Sequence, residues 1–391
     1  MNLKKIFTLL IIAFPILYIY NSGILSLSIA DIFLIILFPF LIVDMIVNKK
    51  RIKVSNILLG ISFLIIIQTG IYFLFGISSL DSILTTLRVI LYYTSGALFI
   101  KEYFDYKFGI KCLKVISLIA AVYWLIQYIL FNMFNIFIQG TIPGLKTEVD
   151  LYNSIMNAHL WTSYAYARPR SFFSEPSHFA VYEALSLLIY VYEFNSKDKK
   201  NVIIIMLSLF LSGSGMAMIL LSIIFAFAII KNLKKITKRK LSVAFLICMI
   251  LVLLFPAYSK TNAFNTFYNR TFVEKDSTNG RFGNFKSGFS ENNTALSLLF
   301  GKGIYKIADI EGQNYITSIP RVYTYFGIAG FIIFILVSTR NFMKYRGEKL
   351  AVWILLFSIF FASEIMFHNL IVVFLPFLLR EENQWKKTQF M

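Results

Sequence analysis

Residues 168–182, "RPRSFFSEPSHFAVY", gather charged and titratable side chains in a chain that is otherwise mostly apolar. Arg168, Arg170, Glu175 and His178 all fall within this stretch, directly before an apolar run. A carboxylate held beside guanidinium groups is suited to act as a general base next to a site that binds an anion. The stretch therefore predicts a general base beside an anion-binding group.

Pro176 predicts where the following helix begins. Amide groups in the first turn of a helix have no partner within it, so the missing N–H of proline costs nothing there. Ser174 or Glu175 is then the expected N-terminal cap. Capping is the simpler interpretation of Glu175. A catalytic role stays open beside it, because basic residues and two phenylalanines, which are expected to hold the stretch against the bilayer, crowd the same place.

Two further arginines lie near predicted membrane boundaries, Arg281 in "STNGRFGNF" and Arg321 in "SIPRVYTYFG". A guanidinium group binds phosphate oxygens with a planar pair of N–H donors and needs no metal to do so. The alternative for both arginines is an ordinary solvated loop surface.

Five ionisable residues lie within or at the ends of apolar runs, where such groups are candidates for function. Arg88 is expected either to extend outward to water or to reach a lipid phosphate. Glu364 and His368 are four residues apart, which predicts one helical face and either a hydrogen-bonded pair or part of a site. Asp31 and Asp44, near the two ends of one run, are expected to face interfacial water.

The elements that position these residues are predicted to be membrane helices. The chain has 391 residues, 58% of them hydrophobic, and a mean hydropathy of +0.71. Because a backbone in lipid must satisfy its own hydrogen bonds and the alternation of a β-barrel is missing, we expect an all-α polytopic integral membrane protein with about 12 transmembrane helices. The expected spans are 6–20, 29–47, 55–75, 83–100, 112–135, 177–194, 201–214, 216–230, 241–256, 319–338, 350–366 and 369–380.

The pair of spans around "LSGSGMA" is open to two interpretations, one tilted helix or two short passes. A cluster of lysines flanks the pair on each side. A single crossing would place one of these clusters on the extracytoplasmic side, against the positive-inside rule, so two passes are favoured. The sequence suggests no other interruption of a span than the one at "SGSG".

The net charge of +18 falls mainly in alternate short joints, such as "KNLKKITKRK" at residues 231–240. This pattern predicts cytoplasmic N- and C-termini and contact with anionic lipid rather than nucleic acid. The first helix is expected to be retained, since no small-residue cleavage site follows it. We expect one integral membrane domain, 1–391, with two long extracytoplasmic loops at 136–176 and 257–318.

Metal chemistry is not predicted, because two cysteines and three histidines occur without clustered ligands. No other cofactor is expected.

Several motifs in order resemble one family of membrane enzymes. They are "RPRSFFSEPSHFAVY", "LSLFLSGSGMAMILL", "NGRFGNF", "LLFGKGIYK" and "QNYITSIPRVYTYFGIAGFIIFIL". Together they are similar to the Wzy-type O-antigen and capsular polysaccharide polymerases, which are related to the O-antigen ligases. The resemblance covers roughly residues 80–380.

The resemblance implies a bacterial inner-membrane glycosyltransferase of GT-C-like architecture. Its donor and acceptor would be glycans linked to undecaprenyl diphosphate, joined on the extracytoplasmic face without metal or nucleotide sugar. A chain-length regulator and a flippase would be partners. By position, Glu175, Arg170 and Arg281 match family residues, and Gly301 and Gly303 match its "G-x-G" turn.

The chain also departs from the family. Where many relatives carry a His-Asn pair near the tenth span, this sequence has Gln313 and Asn314. His178 and His368 are the candidates to replace that histidine, and Asn314 stays a candidate for substrate binding. Arg168 is a further candidate for substrate binding.

The predicted reaction is a displacement with inversion at the sugar's anomeric carbon. Glu175 removes the acceptor proton, and Arg170 and Arg281, with Arg88 or Arg321, hold the diphosphate. Transfer of finished glycan, as in the ligases, is the first alternative. A transporter or flippase is the second; it predicts buried charges near the bilayer midplane and paired broken helices.

Overall fold

A computed structural model of the chain describes residues 2–24, 27–50, 54–74, 80–134, 136, 138, 140–142, 144–145, 147, 169–193, 195–212, 214–232, 294–304 and 317–380. Within these residues the chain is all-α, with twelve α-helices. They are α1 Leu3–Leu17, α2 Ile29–Val47, α3 Asn56–Leu74, α4 Leu80–Tyr103, α5 Tyr106–Phe134, α6 Pro176–Tyr192, α7 Lys199–Leu211, α8 Gly215–Asn232, α9 Ala295–Phe300, α10 Ser318–Lys344, α11 Gly347–Ala362 and α12 Ile371–Leu379.

Five of the described helices are long and apolar enough to cross a membrane, namely α2, α3, α4, α5 and α10. This supports a multi-pass membrane protein. A helix occupies every predicted span that the structure describes; the span 241–256 lies outside the described residues. The α12 helix has only 9 residues, whereas a helix that crosses the hydrocarbon core needs about 20. The count of about 12 crossings therefore stays a prediction.

The chain divides into two compact units. Unit 1 comprises Met1–Ile116, Thr141–Ala158 and Gly280–Met391, and unit 2 comprises Ser117–Gly140 and His159–Asn279. In unit 1, α4 packs against α1, α2, α3 and α12. The α12 helix is apolar and buried from Ile371 through Leu378, as expected for a helix without a polar face.

The α10 helix is broken at Gly327, whose φ is +63°. The carbonyls of Thr324 and Tyr325, just before the break, accept hydrogen bonds from the amides of Lys302 (2.8 Å) and Gly303 (3.0 Å). The Gln68 amide donates to the carbonyl of Phe300 at 2.6 Å and also to that of Tyr325. The backbone freed by the break is therefore satisfied from within unit 1, as the interior of a membrane requires.

Glycine is required where α9 and the following turn meet α10. A Cβ on Gly301 would overlap the Tyr325 backbone, and one on Gly327 would lie 2.6 Å from the Gly301 nitrogen. The predicted outer loop 257–318 thus contains a short helix docked on a broken one. The expectation that "LSGSGMA" alone interrupts a span is wrong.

Unit 2 contains the later part of α5 together with α6, α7 and α8. α6 packs on both α7 and α8, and all its residues from Phe179 to Tyr190 are buried. α7 ends at Leu211 and α8 begins at Gly215, so the structure has two helices around "LSGSGMA" and not one. That each of them crosses the membrane stays a prediction.

We expect Gly327→Ala to lower the melting temperature of the purified protein in detergent. The substitution adds left-handed strain, about 1–3 kcal/mol, and a clash with the turn after α9. Gly60→Ala is the matched control, since Gly60 lies inside α3 with no atom within 4 Å of a new Cβ, and alanine favours a helix. Equal melting temperatures for the two variants would contradict the docking of α9 on α10.

Candidate functional site

A turn at residues 169–175, which we call the 169–175 turn, is held by one face of α5 in unit 2. The Trp124 indole donates to the carbonyl of Pro169 at 2.9 Å. The Ser171 amide donates to the Gln127 side chain at 2.8 Å, and the Ser171 hydroxyl donates to the carbonyl of Ala120 at 2.8 Å. Residues 120, 124 and 127 share a face by helical spacing, so α5 positions the turn at three points.

The backbone of the turn is strained at Ser171, whose φ is +54°. A residue with a side chain rarely adopts this left-handed conformation unless its surroundings impose it. Ser171 is fully buried, and the backbone of Gly140 approaches so closely that a Cβ there would overlap the Ser171 carbonyl oxygen. Strained, over-determined segments of this kind concentrate at functional sites.

Aromatic rings complete the support of the turn. Phe172 stacks on Tyr123 with 4.6 Å between ring centroids, and Trp124 stacks on Phe179 at 5.9 Å. Phe173 is 2% exposed and packs on Tyr182 at 5.1 Å. The expectation that both phenylalanines press against the bilayer is wrong for Phe173, because its ring belongs to the core of unit 2.

Glu175 occupies the N-cap position of α6, with Pro176 in the first turn as predicted. Its carboxylate makes no capping hydrogen bond to the described first turn of the helix. Instead, the carboxylate is exposed and accepts a hydrogen bond from the Ser177 hydroxyl at 2.9 Å. Capping therefore does not use the carboxylate, which leaves it accessible for proton transfer.

Arg170 and His178 both contact Ser174 at the same turn. An Arg170 guanidinium nitrogen donates to the Ser174 carbonyl at 3.0 Å, and the Ser174 hydroxyl shares a 2.5 Å hydrogen bond with Nδ1 of His178. A guanidinium group carries five N–H donors in a planar fork, the geometry that matches phosphate oxygens. Arg170 and His178 thus meet at Ser174, and Glu175 is the next residue along the chain. That the three residues form one site stays a prediction.

Three predicted site residues, Arg168, Arg281 and Asn314, lie outside the described residues.

Arg88 belongs to a partly buried polar cluster in unit 1. Its Nε lies 3.2 Å from a carboxylate oxygen of Asp31, and its guanidinium donates to the Tyr18 hydroxyl at 3.0 Å. The Tyr92 hydroxyl donates to the other oxygen of Asp31 at 2.6 Å. Arg88 was expected either to extend outward to water or to reach a lipid phosphate. Instead, its partners in the structure are side chains of the protein itself.

Asp31 is 0% exposed, so the expectation that it faces interfacial water is wrong. The residue forms a capping box with Ser28, whose amide donates to the Asp31 carboxylate at 3.0 Å, at the start of α2. The cap and Arg88 together satisfy the carboxylate inside the protein.

Arg321 and Glu364 form an ion pair at the N-terminal end of α10. α11 ends at Ala362, and Ile365–Phe367 form a 3₁₀ turn, so the expectation that Glu364 and His368 share one helical face is wrong. The His368 ring packs edge-on against Tyr18 at 5.5 Å. The helix ends before these two residues, which sends them to different partners in unit 1.

Sequence reasoning missed Glu183, a fully buried acid on α6 in unit 2. One of its carboxylate oxygens accepts a hydrogen bond from the hydroxyl of Ser117 on α5. A single acid inside an apolar helix was the available signal. The supporting role of Trp124 and Gln127 was also missed, because their spacing gains meaning only once the turn packs against α5.

Among the described residues there is no group of three or more histidines, cysteines or acids that could hold a metal ion. No family model matches the chain, and no curated protein is significantly similar to it.

We expect Trp124→Phe to expose the 169–175 turn to hydrogen exchange. Phenylalanine keeps an aromatic ring beside Phe179 but loses the N–H that donates to Pro169. Losing one hydrogen bond worth about 1 kcal/mol should speed amide exchange in the turn about fivefold. Tyr128→Phe is the control, since it keeps the stacked ring at Trp124. Unchanged exchange in Trp124→Phe would show that the hydrogen bond from Trp124 does not hold the turn.

We expect Asp31→Asn to destabilise unit 1 by about 3–5 kcal/mol, because it removes the buried carboxylate that pairs with Arg88, whose side chain is only 16% exposed. Glu102→Gln is the control, because the Lys4–Glu102 pair is partly exposed and should contribute about 1 kcal/mol or less. Thermal unfolding in detergent measures both. If the two variants unfold alike, the Asp31–Arg88 pair is not a structural support.

Proposed function

We propose that this chain is a bacterial inner-membrane glycosyltransferase that polymerises glycan repeat units linked to undecaprenyl diphosphate. The reaction takes place on the extracytoplasmic face, and both termini of the chain are cytoplasmic. One observation supports this function above the others: the strained 169–175 turn presents an exposed carboxylate and a guanidinium group at the start of α6. These are the groups that transfer of a sugar from a lipid diphosphate requires.

In this mechanism Glu175 accepts the proton of an acceptor hydroxyl group. The hydroxyl oxygen then attacks the anomeric carbon of the donor sugar, forming the new glycosidic bond. The bond from that carbon to the diphosphate oxygen breaks, and its electron pair leaves with the lipid diphosphate. Arg170 stabilises the growing negative charge, and the resemblance assigns Arg281 the same task.

Among the described binding candidates, Arg88 and Arg321 contribute less to this function. The guanidinium groups of Arg88 and Arg321 each have a carboxylate partner in unit 1. A substrate phosphate would have to displace that partner. His178 touches Ser174 and is the better candidate of the two histidines to assist the turn, because His368 packs on Tyr18 in unit 1.

A transporter or flippase is the second candidate, and the break in α10 favours it. Discontinuous helices often form ion and substrate sites in transporters. In α10, however, the described carbonyls before Gly327 are bonded to the turn after α9, which gives the break a structural role. Ligation of finished glycan shares the chemistry of polymerisation and differs in its acceptor.

Purified protein with a synthetic lipid-linked repeat unit tests the function. Polymerisation gives a ladder of glycan lengths, ligation gives a single transfer, and transport gives tracer flux in proteoliposomes without new bonds. Flux without any longer product would overturn the proposed function.

We expect Glu175→Gln to lower the rate of polymerisation by about 10²–10⁴-fold, because the glutamine cannot accept the proton. Arg170→Lys and Arg281→Lys should each slow the reaction, since lysine lacks the planar fork. Glu193→Gln is the matched control, an acid at the opposite end of the same helix. Wild-type rates in both Glu175→Gln and Arg281→Lys would show that the site is assigned wrongly.

A further inference from the structure

Unit 2 contains an apolar groove of about 450 Å³ at the end of α6, α7 and α8 that carries the lysines. α6 contributes Leu187 and Val191, α7 contributes Met206, and α8 contributes Leu221 and Ala228. The volume lies within the range of small-molecule sites, about 300–1,000 Å³. We refer to this feature as the α6–α8 groove.

Lys231 lines the α6–α8 groove and is the charged residue among its described lining residues. Its ammonium group donates to the carbonyls of Val191 at 2.7 Å and Tyr192 at 2.9 Å, and lies 5.0 Å from the centre of the Tyr192 ring. The last carbonyls of a helix have no partner within it, and the helix dipole favours a cation there. The ammonium is thus fixed at the rim of an apolar space.

Further lysines surround this end of unit 2. Three lysines lie near the start of α7, namely Lys197, Lys199 and Lys200. The acids in the same segment are two, Glu193 and Asp198, so the lysines are in excess. The sequence continues beyond α8 with more basic residues. An excess of cations next to an apolar groove matches a ligand that combines a negative headgroup with a hydrocarbon chain.

We propose that the α6–α8 groove binds one anionic phospholipid of the cytoplasmic leaflet, with an acyl chain in the groove and the phosphate at Lys231. Basic pockets between membrane helices on the cytoplasmic side bind anionic headgroups in this way. The excess of lysines favours an anionic lipid over a zwitterionic one, which has no net negative charge. It also disfavours a second copy of the chain, because the lysines of the two copies would repel each other at the rim. This site is separate from the 169–175 turn and does not depend on the proposed function.

Native mass spectrometry of the full chain in detergent tests the site, with phosphatidylglycerol and phosphatidylcholine as probes. We expect the protein to retain one phosphatidylglycerol at least about fivefold more than phosphatidylcholine, the ratio that one lysine contributes near a membrane surface. Lys231→Gln should remove that preference. Ala228→Phe should fill the groove and reduce retention of both lipids.

Lys200→Gln is the matched control, because it removes a lysine at the same end that does not line the groove. It should retain phosphatidylglycerol like the wild type. Melting temperatures of all variants separate a lost site from a lost fold. Lys231→Gln keeps the test valid if Ala228→Phe unfolds, because it replaces lysine by a polar side chain of similar size. Equal retention of the two lipids, an equal loss in Lys200→Gln, or a dimer mass abolished by Ala228→Phe would each overturn the proposal.

Discussion

Polar groups that this chain carries into an apolar environment are stabilised by partners from the protein itself, and several features of the described structure depend on that constraint. The broken backbone of α10 bonds to the turn after α9 and to Gln68. The buried carboxylate of Asp31 bonds to its own capping box, to Tyr92 and to Arg88. Each arrangement joins segments that are far apart along the chain.

The same constraint separates structural charges from candidate functional ones. A guanidinium group with a buried carboxylate partner, as Arg88 has, stabilises the fold only while that pair is intact. Glu175 differs, because its carboxylate is exposed and bonded to the small hydroxyl of Ser177. Hydrogen bonds to α5 hold Ser171 of the same turn in a left-handed conformation. This conformation costs free energy of backbone strain, which an ordinary connecting loop avoids. Stabilisation of a transition state requires groups fixed in advance, so the 169–175 turn is the stronger candidate.

The amino-acid sequence by itself determined the elements. Hydrophobic runs placed the helices, Pro176 marked the start of α6, and the Gly/Ser break separated α7 from α8. Local patterns suffice there because helix formation depends on neighbouring residues and on the length of each apolar run. The closeness of Arg170, Glu175 and His178 along the chain was also visible, since all three lie within nine residues at the start of α6.

Only the tertiary structure decided the partners. Asp31 with Arg88 and Arg321 with Glu364 join residues from different segments, and a spacing rule reports only on neighbours within one helix. The left-handed Gly327 likewise becomes necessary only because α9 packs against it. Pairing across segments depends on how the helices pack, and the periodicity of a single sequence does not contain that information.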